Sequence, residues 1–337
     1  MIYPKVSIII VNFNQKQFTL NCLKSLKKIT YPNYEVIVVD NNSQDESVEV
    51  IKKMFPKVRQ VLNNNNSGYV GGNNAGIRHA KGKYLLILNN DTLVTPGFIE
   101  PLVVDLEKDP SLGIVQSKIF IMDNPEQLDN VVSYLTNMGF LFHIGYLDTD
   151  KTEYKKFRET FAAKGACMMV KKAVLELGAF DEKYWCYFEE SDLCWRAWVT
   201  GYHVAFEPES IIYHKMGATS TTMRSAFIHY HSFKNRIRTI IKNTSLTTLL
   251  WMFPIHIVIC VVLSTYFFLS GQTDGSVAIL KAIWWNILNI NDTLEKRSFI
   301  QKRRKLDDNE IFKRVMKNPP LSFYLHHLSL VRENLKK

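Results

Sequence analysis

Tyr84-Leu85-Leu86-Ile87-Leu88-Asn89-Asn90-Asp91 is an apolar run of strand length that ends in two amides and a carboxylate. Such a short apolar run, closed by polar residues, reads as a buried strand. In open α/β sheets ligands gather just beyond the carboxyl ends of the strands, so Asp91 stands where a ligand would be held. Working outward, apolar runs at Val6–Val11, Glu35–Asp40, Val58–Leu62 and Leu112–Gln116 alternate with amphipathic stretches at Gln15–Lys28, Ser47–Met54, Val70–Ala80 and Pro96–Glu107. This βαβα rhythm predicts an α/β fold with a doubly wound, mainly parallel sheet. Polar loops follow each strand, at Asn12–Asn14, Asn41–Ser43, Asn63–Gly68 and Asn89–Asp91, and the strand-end rule puts them on one rim.

The rhythm fades over 117–164, where aromatic and polar residues mix, and a variable region over the site is expected there. It returns with a strand at Gly165–Val170, a helix-like Lys171–Leu177 and the dense segment Phe180–Arg196. The domains expected are 1–225 for the α/β unit and 226–337 for a helical, basic C-terminal region. Residues 1–229 carry 25 basic and 25 acidic side chains, whereas 230–337 carry 17 and 7, so the net charge of +10 belongs wholly to the C-terminal third. That third also holds Leu246–Leu269, which is mostly apolar but contains Pro254 and His256. A full membrane span and a surface helix both remain open for it. Ile279–Ile290, with Trp284 and Trp285, is too short to span and suits the interface, where Lys302-Arg303-Arg304-Lys305 would meet anionic headgroups. Tryptophan and aliphatic runs beside the basic residues favour a membrane surface as partner and no nucleic acid. Five scattered cysteines without a CxxC pair point to neither a disulfide framework nor a zinc site, and fit a reducing compartment. Val6–Val11 is too short for a signal peptide and reads as the first strand.

Several motifs carry chemistry, and each has a plainer reading beside it. Asp40, at a strand end, is a loop-capping carboxylate or an acceptor for the imide N–H of a pyrimidine base; Asn12, Phe13 and Asn14 beside it add amides and a stacking ring. Asn66–Gly76 holds four glycines and several asparagines at a strand-to-helix passage, so the N–H groups near Gly72, Asn73 and Asn74 are candidates for phosphate contact. Its spacing matches neither GxGxxG nor a P-loop, which disfavours a dehydrogenase or an ATPase. Asn89, Asn90 and Asp91 offer hard oxygen ligands to Mg²⁺ or Mn²⁺, or alternatively a turn and a helix cap. His214, after apolar Ile211-Ile212-Tyr213, is either a metal-binding imidazole or a core histidine. Glu189-Glu190-Ser191-Asp192 lies among aromatics, where burial and like charge raise a carboxylate toward a useful base. The plainer account is an acidic helix start, with Asp192 paired to Arg196 one turn on.

Taken in order, Ser7–Asn14, Val38–Ser43, Asn66–Gly76, Leu88–Asp91, Gly178–Glu182, Tyr187–Leu193 and His214 resemble the family 2 glycosyltransferases, particularly the rhamnosyltransferase-like branch, over about residues 5–220. The resemblance implies a GT-A fold with a membrane-associated helical appendage. It also implies a nucleoside-diphosphate sugar donor carrying dTDP or UDP, a divalent cation, Mg²⁺ or Mn²⁺, and transfer with inversion. Rhamnose from dTDP-rhamnose is the leading donor by resemblance alone. Residue by residue, Asp40 matches the base-reading acid and Asn12, Phe13, Asn14, Asn42, Asn66, Gly72, Asn73, Asn74 and Asn90 the nucleotide-sugar contacts. Asp91, His214 and Asn89 match the metal ligands, and Glu190 the catalytic base. The chain departs from the family pattern with Asn89 in place of an aspartate and with Glu190 in place of the aspartate of a Glu-Asp pair. Those departures also motivate a second reading, a sugar-nucleotide-binding membrane scaffold with impaired catalysis. A nucleotidyltransferase is disfavoured, because no glycine-rich, arginine-containing loop follows the first strand. The expected acceptor is a glycan or a polyprenyl-linked sugar at the cytoplasmic face of the membrane, with the chain peripheral or held by one inserted helix.

Overall fold

The computed structural model describes residues 3–217 and 224–320; the last part of the basic region, 321–337, lies outside the described residues. The first half alternates β1 (Val6–Asn12), α1 (Lys16–Leu26), β2 (Tyr34–Asp40), α2 (Ser47–Met54), β3 (Arg59–Leu62), α3 (Gly68–His79), β4 (Tyr84–Leu88), β5 (Thr92–Val94) and α4 (Ile99–Lys108). It continues through β6 (Leu112–Ile121), β7 (Asn124–Asn130), β8 (Val132–Leu135), β9 (Leu141–Ile144), β10 (Arg158–Glu159), β11 (Cys167–Lys171), α5 (Lys172–Leu175), α6 (Glu189–Val199) and β12 (His203–His214). Helices follow: α7 (Ser225–Asn243), α8 (Leu246–Leu269), α9 (Thr273–Leu288), α10 (Ile290–Gln301) and α11 (Asp308–Val315).

Ten strands form one sheet, whose main path runs β10-β12-β6-β11-β4-β1-β2-β3, with β5 paired to β12 and β7 to β6. The strands β1 to β4 pair in parallel, and β12 is parallel to β6, while β11 enters antiparallel between β4 and β6. Because side chains alternate along a strand, β1 feeds two cores. Ile8 and Ile10 join Leu23, Leu26, Ile99 and Leu102 on one face, and Ile9 joins Leu85, Ile87, Trp195 and Trp198 on the other. Gly72 lets α3 lie close on β1, since a Cβ there would sit 2.6 Å from Val11 Cγ1.

Residues 117–164 correct the expected irregular region. Strand β6 runs on to Ile121, β7 returns against it, and β8 and β9 make a separate hairpin. The C-terminal helices are tied to the sheet by ion pairs that cross residue 225. Asp181 receives Arg238 Nε at 2.9 Å, Lys242 Nζ at 2.6 Å and Lys296 Nζ at 3.1 Å, and Lys242 also reaches Asp192 at 2.9 Å. Burial alone would raise the Asp181 pKa, but the three cations around it hold its carboxyl far below the usual range. Helix α8 has 24 residues and a mean hydropathy of 2.3 over its most apolar stretch, of which 22% is buried. At 1.5 Å per residue it is roughly 36 Å long, enough to cross a ~30 Å hydrocarbon layer. Within the Lys302–Lys305 cluster only Arg304 turns inward, donating to the carbonyls of Leu306 and Asn243 and pairing with Asp308; Arg303 lies on the ring of Phe299, and Lys302, Arg303 and Lys305 are exposed.

Candidate functional site

Strand ends build the site. Antiparallel pairing of β5 with β12 sets His214 opposite Thr92, and Lys215 N–H donates to the carbonyl of Asp91 at 2.9 Å. The main chain therefore fixes Asp91 beside His214 although they are far apart in sequence. Asp91 Oδ1 lies 3.3 Å from His214 Nε2, and His214 Nδ1 is 2.7 Å from Asp129 Oδ2. Asp129, fully buried near the end of β7, also receives Lys164 Nζ at 3.1 Å. Burial disfavours the charged imidazole, but the hydrogen bond to Asp129 and the nearby Asp91 carboxylate prevail and raise His214 to about 9. Burial likewise opposes the charge on Asp129, and His214 with Lys164 overcomes it, lowering that carboxyl to about 2. These side chains line a cavity of about 690 Å³ at the sheet's rim.

No ready-made cluster of three or more His, Cys, Asp or Glu ligands occurs among the described residues. The available pair nevertheless suits a cation held jointly with a ligand. Neighbouring ligands on a six-coordinate ion with ~2.1 Å bonds are about 3 Å apart, close to the 3.3 Å between Asp91 Oδ1 and His214 Nε2. Asp129 would keep the proton on Nδ1 and aim Nε2, as carboxylates do behind metal-binding histidines.

The second part of the wall is the start of α6. Tyr187 and Phe188 precede it in left-handed conformations, φ 68° and 70°, which cost non-glycine residues of order 1–3 kcal/mol each. Asn235 on α7 holds that turn by donating to the carbonyls of Cys186 and Tyr187 at 2.9 and 2.6 Å. The expected pair of Asp192 with Arg196 is present at 3.0 Å, and Arg196 reaches the carbonyls of Gly178 and Ala179. This turn delivers Glu189 and Glu190 side by side into the cavity. Burial raises both carboxyl pKa values, Glu189 far more. The charge of Glu190 adds to that rise, whereas Lys164 and a hydrogen bond from Glu189 favour the Glu190 carboxylate. Burial therefore favours the neutral form of Glu189 more strongly than that of Glu190.

The remaining expected contacts divide. Phe13, 39% exposed, lines the cavity with Asn14, Asn66, Asn73, Asn89 and Asn90. Asn12 and Asp40 lie beneath this wall: Asn12 Nδ2 donates to Asp40 at 2.8 Å, Ser43 N–H donates to the other Asp40 oxygen at 2.7 Å, and Thr19 donates to Asn12 Oδ1. Both brace the loop after β2. Asn42 is an exposed turn residue with φ 67°, and its neighbour Asn41 faces the cavity instead. Gly72 packs against Val11, and Asn74 uses both ends of its amide on the backbone of Phe180, so neither is placed for phosphate contact. The start of α3 is also occupied. Asn66 accepts from Gly68 N–H, Ser67 O from Gly71 N–H and Trp185 O from Val70 N–H. Sequence reasoning missed Asp129 and Lys164, which line the cavity. No local pattern marks either, because each is one charged residue in a stretch without regular spacing.

With this geometry in place, comparisons with known proteins define the family. Residues 7–178 match the family described as Glycosyl transferase family 2. The low-salt glycan biosynthesis hexosyltransferase Agl10 of Haloferax volcanii is 27% identical over 237 residues, 68% of this chain and 74% of its own length. An uncharacterized glycosyltransferase of Bacillus subtilis, YwdF, is 34% identical over 105 residues, 31% of this chain and 38% of its own. The O-antigen biosynthesis protein RfbC of Myxococcus xanthus is 28% identical over 64% of this chain, a match that takes in 18% of RfbC. Among solved structures, GalNAc-T7 with UDP, GalNAc and Mn²⁺ superposes with a TM-score of 0.58 at 18% identity, covering 71% of this chain and 48% of that one. The mannosyltransferase PcManGT of Pyrobaculum calidifontis with GDP-Man and Mn²⁺ gives 0.53 at 15% identity, over 90% and 86%. These likenesses show the GT-A fold. The family match spans half of the chain and includes β1, β2, β4 and Asp91, and the chain belongs to glycosyl transferase family 2.

Proposed function

We propose that this glycosyltransferase moves a sugar, with rhamnose the leading choice, from a dTDP- or UDP-linked donor to a hydroxyl of a lipid-linked or cell-surface glycan at a membrane. The observation that carries the reading is the meeting of Asp91 and His214 in the cavity that also receives Glu190. Asp91 and His214, with Asn89 beside them, would hold a divalent cation, Mg²⁺ or Mn²⁺. When bound, that ion neutralises charge gathering on the leaving diphosphate. Mn²⁺ beside nucleotide or nucleotide sugar in GalNAc-T7 and PcManGT supports this assignment. Phe13 and Asn14 edge the cavity where a base would stack, backed by the Asn12–Asp40 pair. Glu190 takes the proton of the attacking hydroxyl, which must lie within hydrogen-bond reach of it. Glu189, beside it in the same cavity, favours a single charge on the pair. Attack comes from the face opposite the leaving group, so the anomeric configuration inverts and no covalent enzyme intermediate forms.

The exposed side chains of α8 and α9, Leu250, Val258, Val262, Leu280 and Trp284 among them, support seating on a bilayer. A surface-held acceptor then meets the site at raised effective concentration.

Thermal unfolding of the full chain with dTDP-rhamnose, UDP-glucose and GDP-mannose, each with and without Mn²⁺, tests the reading. A ligand at a hundredfold excess over its Kd adds about 2.7 kcal/mol of stability. One dTDP- or UDP-sugar should stabilise the chain only with Mn²⁺, and Asp91→Ala should remove that effect. Stabilisation by no nucleotide sugar, or by GDP-mannose alone, or equal stabilisation of Asp91→Ala, would refute it.

A further inference from the structure

Helix α7 carries four buried or half-buried cations, Lys234, Arg236, Arg238 and Lys242. Lys234 donates to the carbonyl of Lys183 at 2.9 Å. Arg238 and Lys242 meet Asp181, Asp192 and Asp292. Arg236 forms no ion pair among the described residues, and its Nε is buried without a hydrogen-bond acceptor. Its guanidinium instead lies among three phenyl rings, with Cζ 4.5 Å from the centroid of Phe140, 4.9 Å from Phe188 and 5.5 Å from Phe233. Ring faces attract a cation but supply no acceptor for its N–H groups. A guanidinium held this way has its fork of donors still to satisfy, and that fork matches phosphate and carboxylate oxygens.

The surroundings place this group beside the chemistry. Phe188 immediately precedes Glu189 and Glu190. His143 on β9 is exposed, bonded through Nδ1 to Ser133 Oγ at 2.9 Å, and feels the charges of Lys164, Asp129 and Arg236 together. Arg236 and His143 are thus within electrostatic reach of Lys164 and Asp129, which line the cavity that also receives Glu190, and the Asp129 carboxylate already serves Lys164 and His214. Asp129 on β7 stands on the β6 side of the sheet, three strands from the end of β1 that carries Phe13 and Asn14. Phe140 also packs on His256 of α8 with ring centroids 4.9 Å apart, which continues an apolar path from the phenyl cage to the helix with the exposed apolar face.

We propose that Arg236, supported by His143 and Lys164, is the site for a phosphate group of the acceptor, with Phe140, Phe188 and Phe233 taking the apolar stem that bears it. This rests on the glycosyltransferase reading above and names the acceptor class for that same site.

Calorimetric titration of the full chain in mild detergent tests the assignment without turnover, using farnesyl phosphate, inorganic phosphate and glucuronate as probes. Farnesyl phosphate should bind the wild type, weaken at least tenfold in Arg236→Gln and recover partly in Arg236→Lys. His143→Gln, at an exposed position that tolerates change, should weaken it about threefold. Inorganic phosphate should bind more weakly than farnesyl phosphate, and with the same dependence on Arg236. Unchanged farnesyl phosphate affinity in both Arg236→Gln and His143→Gln would overturn the site. Arg236-dependent binding of glucuronate with none of farnesyl phosphate would overturn the acceptor class, and equal affinity for the two phosphates would overturn the role of the rings. Failure of every nucleotide sugar to bind, with farnesyl phosphate still held through Arg236, would refute the donor reading and leave this site standing.

Discussion

Replacing Glu190 and Glu189 one at a time by glutamine separates the base from its partner. Glutamine keeps the shape and removes the ability to take a proton. At Glu190 the loss should cost the general-base contribution, 10²- to 10⁴-fold in kcat, or about 3–5 kcal/mol of transition-state stabilisation. At Glu189 the expected loss is below tenfold, or less than about 1.4 kcal/mol. The reason lies in the neutral form that burial and the charge of Glu190 favour at Glu189, which a glutamine amide reproduces in shape and charge. The pH profile follows with a definite sign. Burial raises the Glu190 pKa above the ordinary glutamate range, and the reaction needs its carboxylate, so rate is present above that raised pKa and disappears as pH falls through it. Glu189→Gln should retain this acid limb. The assay is release of nucleoside diphosphate at saturating donor and acceptor, beside donor-induced thermal stabilisation as a measure of binding. If Glu189→Gln loses as much rate as Glu190→Gln, or if Glu190→Gln is the milder of the two, the assignment of proton and base is wrong.

Three further outcomes are expected. Asp129→Asn removes the carboxylate that orients His214 and should weaken Mn²⁺ binding 10- to 100-fold, read by electron paramagnetic resonance of the free ion; unchanged affinity would separate Asp129 from the metal. Asp181→Ala leaves Arg238 and Lys242 without their shared partner and should cost about 3–5 kcal/mol by denaturant unfolding. Because the cations depress the Asp181 pKa, its contribution is complete above the unfolded value and is lost only as pH falls through the lower folded one; acidification to pH 4 should leave it largely in place. Val258→Asp, at a side chain 61% exposed on α8, should abolish co-sedimentation with anionic vesicles while changing stability by less than about 0.5 kcal/mol. Retained vesicle binding would point to a different membrane face.

What was legible in the sequence follows from how local each signal is. Ser47–Met54 and Tyr84–Leu88 form the helix and strand read from the sequence, because apolar spacing within a few residues specifies them. Asp91 and His214 were identifiable as strand-end residues, but their 3.3 Å approach depends on pairing of β5 with β12, which no local pattern encodes. Asp129 was invisible for the same reason: Asn124–Asn130 lacks apolar alternation and is a strand through its pairing with β6. The glycine-rich passage misled in an instructive way. Glycine permits close approach by any neighbour, and at Gly72 and Gly68 the neighbours are Val11 and Trp185 of the protein itself.

The division at residue 225, natural from the change in charge and hydropathy, cuts through one mechanical unit. Helix α7 lies beyond it, yet Asn235 holds the left-handed turn that presents Glu189 and Glu190, and Arg238 and Lys242 grip Asp181 and Asp192 behind that turn. Backbone strain at Tyr187 and Phe188 persists only where surrounding contacts over-determine it, and α7 supplies those contacts. The same helix packs along α9 and α8, which carry the exposed apolar surface. A truncation before α7 should therefore disturb the catalytic turn itself as well as any membrane contact. Helix α7 is thus a structural part of the candidate active site, and Arg238, Lys242 and Arg304 place part of the region's positive charge in internal ion pairs.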